Sequence, residues 1–286
     1  MTALRAALDA GRLFRAPGAY DMFSARLVAQ AGFEGVYMTG LGATASSLGL
    51  PDLGYMTGSE MVDHARRMVR AAGIPVIADA DTGYGGVLNV DRTVRDYAQV
   101  GVAAIHLEDQ ALPKRCGQLA GVKLIEAADH AARLQAALRA RGSADMLIIG
   151  RTDALGAVGM DEALARAKLY AAAGADLVFV DGVKTIAQAK TIAHELKGLR
   201  KVISLVDGNE TAALTHRDVQ ELGFSVCFHA VTCLFAAQKG VSEALRALKE
   251  TGESASQGAR LATYTEFSAA VDLAASQEID HRYHDR

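Results

Sequence analysis

DEALARAKLYAAAGADLVFVDG, residues 161–182, holds the repeating unit on which the fold turns. Its first part, through Gly174, places alanine, leucine and tyrosine at helical spacing, and the glycine supplies a left-handed C-terminal cap. LVFVDG (177–182) then reads as a buried strand that finishes on an acid, Asp181. Seven further runs share the strand pattern: LFRAPGAY (13–20), FEGVYMTG (33–40), PVIADAD (75–81), AAIHLED (103–109), MLIIGRTD (146–153), KVISLVD (201–207) and FSVCFH (224–229). Helical segments such as TAALTHRDVQELG (211–223) lie between them, and Gly32, Gly73, Gly101 and Gly223 stand where helices should stop.

Strands alternating with helices imply parallel pairing through right-handed crossovers. Eight such units in 286 residues fit a closed (β/α)8 TIM-type barrel best, with a doubly wound open sheet as the alternative. No Pro/Gly/Ser-rich linker divides the chain, so residues 1–286 read as one domain. VSEALRALKETG (241–252) is amphipathic and can close the barrel, leaving 253–286 as a C-terminal helical extension.

Half of the residues are hydrophobic and the formal net charge is −3, which gives no electrostatic reason to expect nucleic acid or an anionic membrane as partner. A small-molecule ligand is the expectation. The N-terminus, MTALRAALDAGRLF, lacks the continuous apolar core of a signal peptide, and no stretch approaches a membrane span. Three cysteines, Cys116, Cys227 and Cys233, are an odd and sparse set that suits a reducing compartment, so the chain reads as cytoplasmic.

Polar residues collect at the C-terminal ends of the strands: Tyr37 and Thr39, Asp79 and Asp81, Glu108 and Asp109, Arg151 and Asp153, Asp181, Asp207, and His229. In a barrel these ends converge on one mouth, where catalytic groups are found. Asp153 and Asp207 are equally readable as helix caps, but charged ends on five consecutive strands are harder to explain as caps plus surface salt bridges. Asp79 and Asp81 stand two apart, so alternation should point both the same way, with Glu108 on the neighbouring strand. Three oxygen donors suit Mg²⁺, with Mn²⁺ as a substitute, and no close His/Cys cluster in the sequence argues for zinc. GLGATA (40–45) superficially resembles a dinucleotide fingerprint, but Pro51 and turn residues follow where its helix should continue.

His106, inside a strand, reads as a packed, hydrogen-bonded histidine, and Cys227 and Cys233 as small hydrophobes. Cys116 differs. It follows Lys114 and Arg115 on a segment entered through Pro113, and nearby cations favour a thiolate, which makes it a candidate acid/base or nucleophile.

At this point the chain resembles the isocitrate lyase and phosphoenolpyruvate mutase superfamily. The resemblance runs from about Arg12 to Phe267 through YMTGLGATASSLGLPDLG, ADADTGYG, HLEDQALPKRCG, GRTDA and TYTEF, in order. KRCG (114–117) is similar to the carbon–carbon lyases of the superfamily, of the 2-methylisocitrate and 2,3-dimethylmalate type, whereas its mutases and decarboxylases generally lack that cysteine. The resemblance implies that Asp81 touches Mg²⁺ and that Asp79 and Glu108 hold its waters. It implies that Arg151 clamps a substrate carboxylate with the backbone of Gly40 and Leu41 and the hydroxyl of Thr39, that Tyr37 and Asp52 belong to the inner site, and that Cys116 rides on a mobile loop. It further implies a C-terminal helix exchanged between subunits of a homotetramer, a dimer of dimers.

Cleaving a 2-hydroxy acid between C2 and C3 leaves a carbanion beside a carboxylate, which Cys116 can protonate while Lys114 and Arg115 stabilise the thiolate left behind. Three departures bear on the substrate: Gln118 where the lyases usually have histidine, Asp181 where many have glutamate, and Asp207 where methylisocitrate lyases typically offer asparagine. They weaken the case for a tricarboxylate and make a smaller malate-type acid, releasing pyruvate or glyoxylate, at least as plausible. An oxaloacetate decarboxylase, a phosphonate-active enzyme and a noncatalytic binding or assembly barrel are the alternatives.

Overall fold

The computed structural model describes residues 2–284; Met1, Asp285 and Arg286, which the expected domain limits include, lie outside the described residues. Eight parallel strands close in sequence order: β1 (Phe14–Ala19), β2 (Val36–Met38), β3 (Val76–Asp79), β4 (Ala104–Glu108), β5 (Leu147–Thr152), β6 (Leu177–Val180), β7 (Lys201–Leu205) and β8 (Val226–His229). All eight coincide with the runs read from the sequence, and pairing of Phe14 through Pro17 with Val226 through His229 shuts the ring, which excludes the open sheet. The strands are buried on both faces nearly throughout, as a parallel sheet wrapped by helices requires.

Local chemistry sets the helix limits. Thr57 and Glu60 cap the helix Gly58–Ala72 reciprocally, and Gly73 ends it at φ 65°. The expected helix over 211–223 is instead a 3-10 turn, Glu210–Ala213, and a short helix, His216–Glu221. Thr215, accepting from the Asp218 N–H, restarts the helix there. At the bottom of the barrel the helix Ala3–Asp9 inserts Leu4, Ala7 and Leu8 into the interior cluster with Phe14, Ile77, Phe179 and Phe228. Burying each leucine contributes about 1.5–3 kcal/mol, so this helix plugs the end away from the mouth.

The contacts divide the chain into two compact units, Met1–Thr232 and Cys233–Arg286. The second comprises most of the helix Thr232–Thr251, a 3-10 segment Ala255–Arg260 and the helices Tyr264–Ala270 and Leu273–His284. No helix among the described residues is long and apolar enough to cross a membrane.

Candidate active site

The polar strand ends do meet at the mouth. β3 ends on Asp79 and β4 on Glu108, Arg151 lies near the end of β5, and Asp181 follows β6. Tyr37, Thr39, Leu41, Asp52, Asp79, Cys116, Gly117, Gln118, Arg151 and Asp181 line one small cavity of about 60 Å³, room for a few water molecules. A wider cleft of about 580 Å³ opens at the opposite end of the barrel, but its lining of Arg12, Lys190, Lys197, Arg200 and Glu221 contains none of the strand-end groups. The floor beneath the mouth is aromatic: the Tyr37 ring stacks on Phe228 at 4.1 Å between centroids, and its hydroxyl lies 2.9 Å from Nε2 of buried His106. His106 is therefore the packed histidine expected, and burial lowers its pKa to about 4, so it is neutral.

Asp79 organises the rim. One oxygen accepts the Asp81 N–H at 2.9 Å and the other the Gly40 N–H at 3.2 Å, where an added Cβ would fall 2.5 Å from Asp79 Oδ2. The helix Gly40–Leu48 thus starts beside the cavity with its positive end toward the carboxylates, and the Thr39 hydroxyl makes no capping bond to it. Asp81 lies past the end of β3 with φ 46°, a left-handed conformation that aspartate tolerates better than most residues. Its carboxylate is therefore placed by a turn rather than by the strand alternation expected.

Arg151 faces Glu108 in the strand register, and its guanidinium is held by three carboxylates: Asp181 at 2.7 Å, Asp153 at 2.8 Å and Glu108 at 3.3 Å. Lys114 reaches in from the loop, its Nζ 2.6 Å from both Asp52 and Asp81. The loop itself is docked. Ala111 N–H donates to the Lys123 carbonyl at 2.8 Å, the Gln110 amide clasps Arg115 at both backbone groups, and Cys116 N–H donates to the Asp52 carbonyl at 3.1 Å. Gly117 packs so close that an added Cβ would fall 2.4 Å from both Asp153 and Asp181.

Carboxylates outnumber cations here, and burial decides their charge. Burial alone would raise Asp79, but His106, Lys114 and Arg151 bring it down to about 2. Burial raises Asp81 to about 6 against the pull of Lys114, and raises Glu108 as well. Both Glu108 oxygens are buried without a hydrogen-bond partner, Arg151 meeting one of them as an ion pair at 3.3 Å, while Asp81 Oδ1 has Lys114 at 2.6 Å. Unsatisfied buried oxygens beside an accumulation of negative charge fit a hard divalent cation held by few protein ligands.

Several expectations are corrected. Lys114 and Arg115 do not serve the Cys116 thiol: Lys114 bridges two carboxylates, and exposed Arg115 donates to the Ala120 carbonyl at 3.3 Å. Burial pushes Cys116 up to about 11, so the resting group is a thiol and not the thiolate that two neighbouring cations suggested. Alkylation of Cys116 is expected to accelerate about tenfold per pH unit well past pH 9; a plateau near 8.5, as for a free cysteine, would contradict this protonation state. Asp207 is exposed, lies outside the cavity lining and accepts from Thr232 Oγ1 at 2.7 Å, so it does not join the site. His229 turns away from the mouth toward His216, its Nε2 2.8 Å from the other's.

Two residues carry more than the sequence assigned them. Asp153 occupies the N-cap position of the helix Ala154–Ala157 but makes no capping bond, because both its oxygens take Arg151. Asp109, fully buried behind the mouth, accepts from Thr152 Oγ1, Asp153 N–H, Arg166 and Tyr170 Oη, tying β4 to β5 and the helix Met160–Ala172. Strand alternation between Glu108 and Asp109 is the signal that separates their faces.

A family model described as phosphoenolpyruvate phosphomutase matches residues 4–249. Among similar sequences, 2,3-dimethylmalate lyase of Eubacterium barkeri is 38% identical over 280 residues, covering 98% of this chain and 96% of that protein. Among solved structures, oxaloacetate acetylhydrolase with the inhibitor 3,3-difluorooxalacetate superposes with a TM-score of 0.92 at 34% identity, covering 97% of this chain and 95% of that one. Phosphonopyruvate hydrolase in complex with oxalate and Mg²⁺ superposes with a TM-score of 0.89 at 30% identity over 99% of both chains.

Proposed function

The chain belongs to the phosphoenolpyruvate mutase and isocitrate lyase superfamily, and on that premise we propose that it is a Mg²⁺-dependent carbon–carbon lyase. It cleaves a 2-hydroxy di- or tricarboxylate to a 2-oxo acid, pyruvate or glyoxylate, and a second carboxylate. The observation that carries this reading is Cys116, held by its docked loop in the same cavity as Asp52, Asp79, Asp181 and Arg151, where burial favours the thiol. Carbon–carbon cleavage of a 2-hydroxy acid releases a strongly basic carbanion beside a carboxylate, which calls for a positioned proton donor, whereas decarboxylation or phosphorus–carbon cleavage of a 2-oxo acid releases the less basic enolate of pyruvate, which solvent can protonate.

Asp81 would hold Mg²⁺, with Asp79 and Glu108 around it. When bound, the ion supplies Lewis-acid stabilisation of negative charge on substrate oxygens. Arg151, the Thr39 hydroxyl and the Leu41 N–H, with the Gly40 N–H exchanging its long 3.2 Å bond to Asp79, would hold a carboxylate at the helix N-terminus, the usual place for an anion. Asp181 and Asp153 set the direction of the guanidinium, and Asp52 with Lys114 ties the loop's cation to the rim. Tyr37, braced by His106 and Phe228, fixes the floor. Cys116 Sγ–H would give its proton to the carbon released and take one back in the reverse condensation. The docked loop keeps water from that carbanion.

Gly117→Ala tests the docking. With no space for a Cβ, the loop must lift from Asp153 and Asp181, and kcat is expected to fall about 10²-fold or more while the folded barrel and its Mg²⁺ response persist. Wild-type kcat would show that closure against these carboxylates is not used. The function itself is tested by assaying oxo-acid release from 2,3-dimethylmalate, other substituted malates and 2-methylisocitrate, against consumption of oxaloacetate and phosphonopyruvate. Turnover confined to the last two would favour the hydrolase and phosphonate readings, for which the structural similarity to oxaloacetate acetylhydrolase and phosphonopyruvate hydrolase is the support.

The assembly is a homotetramer in the cytoplasm. What supports the tetramer is the helix Thr232–Thr251, which has no buried residue and exposes Val241, Leu245 and Leu248 along one face. Light scattering at micromolar concentration is expected to give four times the chain mass; a monomer would rule the assembly out.

A further inference from the structure

Cys227 and His229 alternate with Phe228 along β8. The Phe228 ring stacks on Tyr37 inside the barrel, so the thiol and the imidazole stand two apart on the strand's outer face. His216, first residue of the short helix whose start Thr215 and Asp218 fix, brings its Nε2 2.8 Å from His229 Nε2. The ligand-type atoms of His216, Cys227 and His229 all lie within 4.8 Å of one another. This cluster corrects the sequence reading that no His and Cys come together: ten residues separate His216 from Cys227, and only the turn between helix and strand closes the gap.

A hydrogen bond between the imidazoles accounts for the two histidines but leaves the fully buried Cys227 beside them, its Sγ no nearer than 3.9 Å to the Phe228 carbonyl. We propose that His216, Cys227 and His229 bind one Zn²⁺ through two imidazole nitrogens and a thiolate, with a fourth position open between the half-buried histidines. Borderline-soft nitrogen and sulfur donors select Zn²⁺ over Mg²⁺. With bonds of about 2.0–2.1 Å to nitrogen and 2.3 Å to sulfur, tetrahedral geometry needs the imidazole nitrogens to part by roughly half an ångström and the sulfur, which lies within 4.8 Å of them, to stand about 3.6 Å from each, so side chains must rotate as the ion binds. Burial lowers the pKa of both imidazoles, which favours the neutral form that ligates, and raises that of the Cys227 thiol, whose proton the ion must displace. The thiol proton leaves to solvent as the Zn–S bond forms. Arg15, paired with Cys227 across β1 and β8, is neutralised by Glu34 at 3.0 Å, and Asp207 adds negative charge near His229. The ion would staple the helix His216–Glu221 to β8, whose following residues Ala230 and Val231 line the catalytic cavity.

The test uses the full chain in buffer saturated with Mg²⁺. Co²⁺ as a probe is expected to give a near-ultraviolet thiolate-to-metal charge-transfer band at one equivalent, present in wild type and in Cys116→Ser and absent in Cys227→Ser. Zn²⁺ affinity, from competition with a chromophoric chelator, is expected to fall by more than about 100-fold in His229→Gln, beyond the 10–100-fold that outer-sphere partners cost. Retained oxo-acid release in the cluster variants shows that they fold. Absence of the band in wild type, its loss in Cys116→Ser, or equal Zn²⁺ affinity in wild type and His229→Gln would overturn the site.

Discussion

Asp81→Ala is expected to lower kcat/KM by about 10³-fold or more, because it removes the carboxylate nearest the proposed cation and with it charge stabilisation that no other group at the mouth replaces. Stability should not fall with activity. The Asp81 carboxylate is buried, is raised to about 6 and competes with Asp79 and Asp52 for Lys114, so its removal relieves crowding of like charges. The folded pKa lies above the unfolded value, so in the metal-free protein this group favours folding below about pH 4 and loses that contribution as pH rises through about 6. A metal-free melting temperature at pH 7 equal to or above wild type, with the Mg²⁺-dependent rise abolished, is the expected pair of results. In wild type, activity lost to chelator should return with Mg²⁺ or Mn²⁺. Full turnover in metal-free buffer would defeat the metal-dependent reading.

Cys116→Ser is the second large effect. A hydroxyl is a far weaker acid than a thiol, and general acid catalysis contributes about 10²- to 10⁴-fold, so kcat should fall within that range. The substitution leaves Lys114 on Asp52 and Asp81 and leaves Arg151 with its three carboxylates, so Mg²⁺ and pyruvate should still bind. Calorimetric titration of the variant with both ligands separates lost chemistry from a lost fold. Wild-type turnover in Cys116→Ser would remove the proton-donor role and advance the decarboxylase and phosphonate readings.

The barrel was legible because its signals are local: eight apolar runs long enough for strands, glycines that stop helices, and acids where strands end. Asp79, Glu108, Arg151 and Asp181 could be brought to one rim from that pattern alone, since parallel strands in a closed ring present the same end. What sequence could not give were directions that depend on distant contacts. Lys114 stands two residues before Cys116, yet its ammonium crosses to Asp52 and Asp81, because a buried cation must find carboxylates. Proximity in sequence suggested a thiolate; burial, which composition does not reveal, keeps the thiol protonated. Asp207 follows a barrel strand as Asp181 does, but it lies on the exposed turn past β7 and bonds Thr232. The histidine–cysteine cluster on the outer face of β8 was hidden for the same reason, since His216 belongs to a helix that the sequence read as one longer, earlier-starting segment.

The central claim is that this site breaks a carbon–carbon bond and that Cys116 protonates the carbon released. Turnover of 2,3-dimethylmalate with Mg²⁺ in D₂O, followed by NMR of both products, addresses it most directly. Cleavage between C2 and C3 yields pyruvate and propionate, so the account predicts equal amounts of each, with a single deuterium on C2 of propionate delivered to one face. Deuterated propionate in equal mixture of both faces would mean that solvent, and not a positioned thiol, supplies the proton. No pyruvate or glyoxylate from this or any other 2-hydroxy acid, alongside turnover of oxaloacetate or phosphonopyruvate, would contradict the lyase assignment itself.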